Sequence, residues 1–172
     1  ALVTSALTSR EKENAKKALE RERQTQALYL LTSHLTEAKE LSDAAETAVS
    51  VISDLLDCRA ACLCYDETGE PEKTFLQRTE EGKLVRRRLE NLRDPFYAGE
   101  EFYDWPVCGG EGILGVVRIP GERAEAFEET QKIFLHSMLE CVALAMDRIL
   151  AVRKQVRSRQ QIQQERYRGN LL

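Results

Sequence analysis

No glycine or proline interrupts residues 122 to 168, and within that run Leu135, Met138, Val142, Ala145, Ile149, Val152 and Val156 alternate spacings of three and four. Only a helix puts such residues on one stripe, so a single long helix is expected from about Glu125 nearly to Gly169. The same stripe is a heptad seam, and Met138, Val142, Ala145, Ile149 and Val152 are the expected dimer contacts. Past Val156 the seam positions become Arg159, Gln163 and Arg166, so this last stretch needs a partner or a continuation to stay helical.

A second run of helix formers spans residues 6 to 39, again without glycine or proline. Its first half is polar nearly all round, and its second half gains Leu28, Leu31 and Leu35 on one stripe. This helix is expected to project at its front and dock at its back. Asp43 and Glu46 have capping-box spacing and open a second helix, with Ala45, Ala48, Val49, Ile52, Leu55 and Leu56 on its apolar face.

Between the helices the period changes. Ala60 to Tyr65 reads as a buried strand, DETGEP at 66 to 71 as a turn, and Lys73 to Arg78 as the hairpin partner. In KLVRRRLENLR, residues 83 to 93, the spacing of Val85, Leu89 and Leu92 predicts a short helix. Phe102 to Cys108 reads as a strand whose Pro106 confines it to an edge or a bulge. Ile113 to Ile119 is a further strand, ended by Pro120 and Gly121. The fold class is therefore α+β, an antiparallel sheet flanked by helices, with long N- and C-terminal helices.

Charge separates along the chain. Residues 10 to 23 carry +2 and residues 151 to 172 carry +5, which leaves −11 for the body of a chain whose total is −4. An acidic body between two basic arms lacks the continuous basic face that nucleic acid requires. No apolar stretch is long enough to span a bilayer, and ALVTSALTSR has no charged head before an apolar run, as a signal peptide would. Five cysteines cannot all pair, which fits reduced thiols in a cytoplasmic setting.

The candidate chemistry is sparse. Gly110-Glu111-Gly112-Ile113-Leu114-Gly115 formally matches a dinucleotide fingerprint, but its glycines open a strand rather than a helix, so it reads as a hairpin. Neither His34 nor His136 has a histidine or cysteine partner at i+4, and His34 lacks the following acid and Thr-Pro of a phosphoacceptor box. No catalytic or metal-ligating set emerges. Arg86-Arg87-Arg88 reads as a solvated face, with an acidic partner as the alternative. Cys62 and Cys64 share one face of a strand. Together with Phe102, Trp105 and Cys108 they form the candidate ligand pocket, and core packing is the competing reading.

Five segments carry a resemblance: the ALTSR start, ALYLLTSHLTEAKEL, CLCYDETGEP, GILGVVRIP and the terminal ERYRGNLL. Together they resemble the GAF-type domain of Kdp-type, potassium-responsive sensor histidine kinases. The resemblance implies a GAF-like domain at residues 27–150. An N-terminal linker or signalling helix at 1–26 would precede it, and a C-terminal coiled-coil helix at 151–172 would lead to a histidine-kinase dimerisation domain. The phosphoacceptor histidine would lie outside this chain. It further implies a cytoplasmic domain of a bacterial inner-membrane protein, with membrane contact only through flanking segments. The parent would be a homodimer joined through the terminal helices. It would autophosphorylate with ATP and Mg2+, although this segment itself takes no cofactor, and it would pass phosphate to a cognate response regulator. The domain would relay a shift of the first helix through the sheet to the last. Two alternatives stand beside this reading. One is a free-standing GAF-fold thiol reductase using Cys62, Cys64 or Cys108, and the other a module binding a nucleotide or tetrapyrrole.

Overall fold

The computed structural model describes residues 2–89 and 101–171. In chain order the elements are α1 (Leu2–Glu37), α2 (Leu41–Leu56), β1 (Ala61–Cys64), β2 (Thr74–Arg78) and β3 (Leu84–Arg88). They continue with β4 (Phe102–Cys108), β5 (Ile113–Pro120), α3 (Gly121–Glu125) and α4 (Glu129–Leu171). The five strands form one antiparallel sheet in the order β3-β2-β1-β5-β4.

Helix α2 begins three residues earlier than the capping-box reading places it. Asp43 accepts hydrogen bonds from the backbone N–H groups of Lys39 and Glu40, at 3.1 and 3.0 Å, so it caps as the third residue of the helix rather than as its first. At the other end Asp57 takes a left-handed conformation (φ 47°), and Arg123 donates to the carbonyls of Leu56 and Asp57. A guanidinium thus satisfies the exposed carbonyl end of α2.

The segment expected to be a short helix at 83–93 is strand β3 over Leu84–Arg88, and residues 90–93 lie outside the described residues. A four-residue spacing such as Val85 to Leu89 puts both side chains on one face of either a helix or a strand. The turn decides between them. Gly82 supplies φ +79°, the N–H of Thr79 donates to the carbonyl of Lys83, and β3 pairs with β2 from Leu84 to Arg88. Pro106 sits in β4 at the sheet edge, one residue before a bulge at Val107/Cys108. At Gly115 the strands come so close that a Cβ would stand 2.7 Å from the carbonyl oxygen of Leu63.

The main core lies between the sheet and the helices. It joins Leu31 and Leu35 of α1, the apolar face of α2, one side of the sheet and the first half of α4. Helix α1 is exposed from Leu2 to Arg23 and first turns half-buried at Gln24, Ala27 and Leu28. Here the expected dimer seam is corrected. Met138, Val142, Ala145 and Ile149 are buried in the chain's own core, because α4 turns its stripe onto α1, α2 and the sheet. Of the five seam residues only Val152 is exposed.

Candidate functional site

The sheet has two faces with different chemistry. On the helix side, β1 contributes Cys62 and Cys64, packed with Leu76, Val107, Val117 and Ile119. Alternation sends Ala61, Leu63 and Phe75 to the opposite face, where Leu89 and Phe102 pack on them. The candidate pocket residues are therefore divided. Cys62, Cys64 and Trp105 belong to the helix-side core and Phe102 to the outer face, while Cys108 is exposed at the end of β4. They do not line one cavity.

At Cys58 and Cys62 the surroundings disfavour the thiolate. All five cysteines are free. The Cys62 thiol is held well above its usual range by its hydrogen bond with Cys64 and by burial. The Sγ of Cys64 lies 3.8 Å from the carbonyl oxygen of Leu41. Burial pushes Cys58 up to about 11 against the opposing pull of Arg123. A nucleophilic cysteine needs the reverse, a thiolate favoured by positive surroundings and open to solvent. The bland reading of the buried thiols, as small core fillers, accounts for their placement.

The outer face holds a polar group that sequence reasoning missed. Arg118, in the middle of the apolar run GILGVVRIP, donates to both carboxylate oxygens of Asp104 at 2.6 and 2.7 Å. Its guanidinium carbon stands 5.2 Å from the centre of the Phe102 ring. Two strands away on the same face, Gln77 is buried, and its Oε1 has no hydrogen-bond partner among the described residues. A lone arginine inside a buried strand was the available signal, but its partner depends on the β4–β5 register, which no local spacing specifies.

A second polar constellation sits where the helices meet. Arg148 of α4 donates from Nη2 to the carbonyls of Leu35 and Ala38, each at 2.9 Å, and so caps the end of α1. Five residues on, Arg153 donates to Glu40 at 2.6 Å. Both contacts advance in the same direction along the two segments, so α1 and α4 run side by side in parallel where they touch. The exposed part of α1 consequently leaves one end of the domain and the exposed part of α4 the other. The Nη1 of Arg153 faces Glu67 and Glu72 of the β1–β2 turn, each at 3.9 Å, and Arg157 forms an ion pair with Glu67. Burial raises the Glu72 carboxyl above its ordinary range, opposed chiefly by Arg153. The turn itself is set by Asp66, whose carboxylate accepts from the N–H groups of Thr68 and Glu70.

This arrangement, a five-stranded antiparallel sheet with the described helices on one side and long terminal helices, is the GAF fold. In a full-length comparison the chain is 23% identical to the sensor protein KdpD of Clostridium acetobutylicum, matching over the whole of this chain and 21% of that protein. The chain thus spans about a fifth of the length of that curated relative. Among solved structures it is similar to the GAF domain of the potassium sensor histidine kinase KdpD from Escherichia coli. The TM-score is 0.56 at 18% identity, over 77% of this chain and 99% of that one. The GAF domain of an Acinetobacter phosphoenolpyruvate-protein phosphotransferase is also similar, with a TM-score of 0.51 at 17% identity over 75% of this chain and 95% of that one. No protein-family signature matches the chain. The solved structures share the GAF fold with this chain.

Proposed function

We propose that this chain is the relay domain of a membrane-anchored, homodimeric Kdp-type histidine kinase, responding to potassium or osmotic conditions. In this reading its parent autophosphorylates with ATP and Mg2+ and hands the phosphate to a response regulator. The observation that carries the reading is the direct parallel contact of α1 with α4, whose exposed halves leave opposite ends of the domain. A displacement of α1 at one end is then a displacement of α4 at the other, with no need to pass through the sheet. Two helix packings of similar energy, biased by the input, make such a contact a switch. With four of the five expected seam residues committed to the core, a homodimer would use other exposed faces of α1 and α4.

The test is autophosphorylation of the parent kinase in membrane vesicles as potassium is varied, with Arg148→Met in this domain as the comparison. The relay reading expects a potassium response in the wild type and a kinase that no longer follows potassium in the variant. An identical response in both overturns it.

A second reading rests on the outer sheet face, where the buried Oε1 of Gln77 has no donor among the described residues, two strands from the Arg118–Asp104 pair. A small polar ligand with a hydrogen-bond donor would satisfy it. Thermal unfolding of the purified chain against a panel of nucleotides tests this reading: a stabilising compound whose effect is lost in Gln77→Leu supports it, and no stabilisation by any of them removes it.

A further inference from the structure

Arg153 is placed unlike the other arginines of α4. Its two terminal nitrogens serve different parts of the fold: Nη2 is bonded to Glu40 in the link between α1 and α2, while Nη1 faces Glu67 and Glu72 in the β1–β2 turn. The bond to Glu40 is 2.6 Å, whereas the two turn carboxylates stand at 3.9 Å, about 1 Å beyond hydrogen-bond reach. Glu67 is held close, its side chain only 10% exposed and paired with Arg157 one helical turn further on. A movement of about 1 Å would bring Nη1 into hydrogen-bond contact with the turn while Nη2 keeps Glu40.

We propose that Arg153 is a charge junction through which both the end of α1 and the β1–β2 turn fix the segment of α4 from Arg153 to Arg157. The segment is held when both sides grip the fork and released when either lets go. The planar fork suits this position, because its two terminal nitrogens are held apart in fixed directions, which the donors of a single ammonium nitrogen are not. Its position is also apt, since α4 leaves the domain core at Leu150 and every residue from Lys154 to Gly169 is exposed. The sheet and the entering helix would thus act on the departing helix at one point. That signalling meaning rests on the relay reading above, but the junction itself does not.

Amide hydrogen exchange on the 172-residue chain tests it without any kinase. Glu40→Gln and Glu72→Gln, the latter chosen because Glu67 is also held by Arg157, should each speed exchange at residues 153 to 160 by about threefold to tenfold, leaving β1 and β5 protected as in the wild type. Because both act through one fork, the double variant should be no faster than the faster single one by more than a small factor. Arg153→Lys should match the double variant even though its charge is retained. Effects that multiply in the double variant overturn the junction, since they mean independent grips. So does an Arg153→Lys chain with wild-type exchange, and so does unchanged exchange in both single variants. Failure of the relay reading would instead appear in the kinase assay with this exchange pattern intact.

Discussion

Met138 is sealed in the helix-side core, while Val152, two heptads further along α4, is 52% exposed. Truncating the first removes buried contacts and leaves a cavity, and truncating the second removes little that water does not replace. Met138→Ala should therefore cost about 2–5 kcal/mol in urea unfolding at every protein concentration. Val152→Ala should stay within about 0.5 kcal/mol in a dilute sample. Equal effects, or a cost for Met138→Ala that grows with protein concentration, would return the seam to a dimer interface. Glu72 makes the pH argument at the same scale. Its folded carboxyl is raised by burial, so its stabilising contribution is complete below the ordinary glutamate range and is lost as pH rises through the raised value. The unfolding free energy of the wild type relative to Glu72→Gln should accordingly fall as pH rises from the ordinary glutamate range, about pH 4, through the interval above it. A difference that grows over that interval would mean Arg153 outweighs the desolvation.

At the scale of elements, close approach of β1 and β5 puts a steric limit on Gly115. A methyl group there would press on the carbonyl of Leu63 at 2.7 Å, backbone against which no side chain can turn away. Gly115→Ala should lower stability by about 1–3 kcal/mol in urea unfolding. Wild-type stability would show that the strands can separate there without cost. Most of the elements were legible because their periods are unambiguous. The 3.6-residue stripe of α2 and α4, the largely apolar run of β5 and the proline in edge strand β4 each point one way. Where two periods coincide the sequence is silent: Val85 and Leu89 suit a helix or a strand, and the hairpin after β2 chose the strand. The polar constellations were less legible for another reason. Arg118 and Asp104 are fourteen residues apart, and Arg148 and Leu35 are 113 apart. Such partners are set by strand register and helix packing, which only the assembled core decides. The pocket set failed on the same ground. Cys62 and Phe102 are both apolar strand residues, yet the sheet sends them to opposite faces.

For the molecule as a whole, the decisive relation is that α1 and α4 touch in parallel and then part. Arg148 fixes the axial register of the pair by holding the last carbonyls of α1, so the rotational phase of α4 on leaving the domain follows from where α1 ends. A helix transmits that phase along its length, each residue adding about 100° of rotation. Inserting a single alanine after Arg159, in the exposed part of α4, therefore leaves the core and the arginine contacts in place. Everything downstream turns by about 100° and advances by about 1.5 Å. In the relay reading the parent kinase reads that phase, and the insertion should fix its autophosphorylation at one level regardless of potassium. Seven inserted residues, about two full turns, should restore the response, because 700° brings the downstream helix back to within about 20° of its original face. The stability of the isolated chain should be unchanged in both variants, since residues 154 to 169 are exposed and make no part of the core. A kinase that follows potassium normally after the one-residue insertion would show that α4 acts as a tether rather than as a transmitter, and the parallel contact would then serve folding alone.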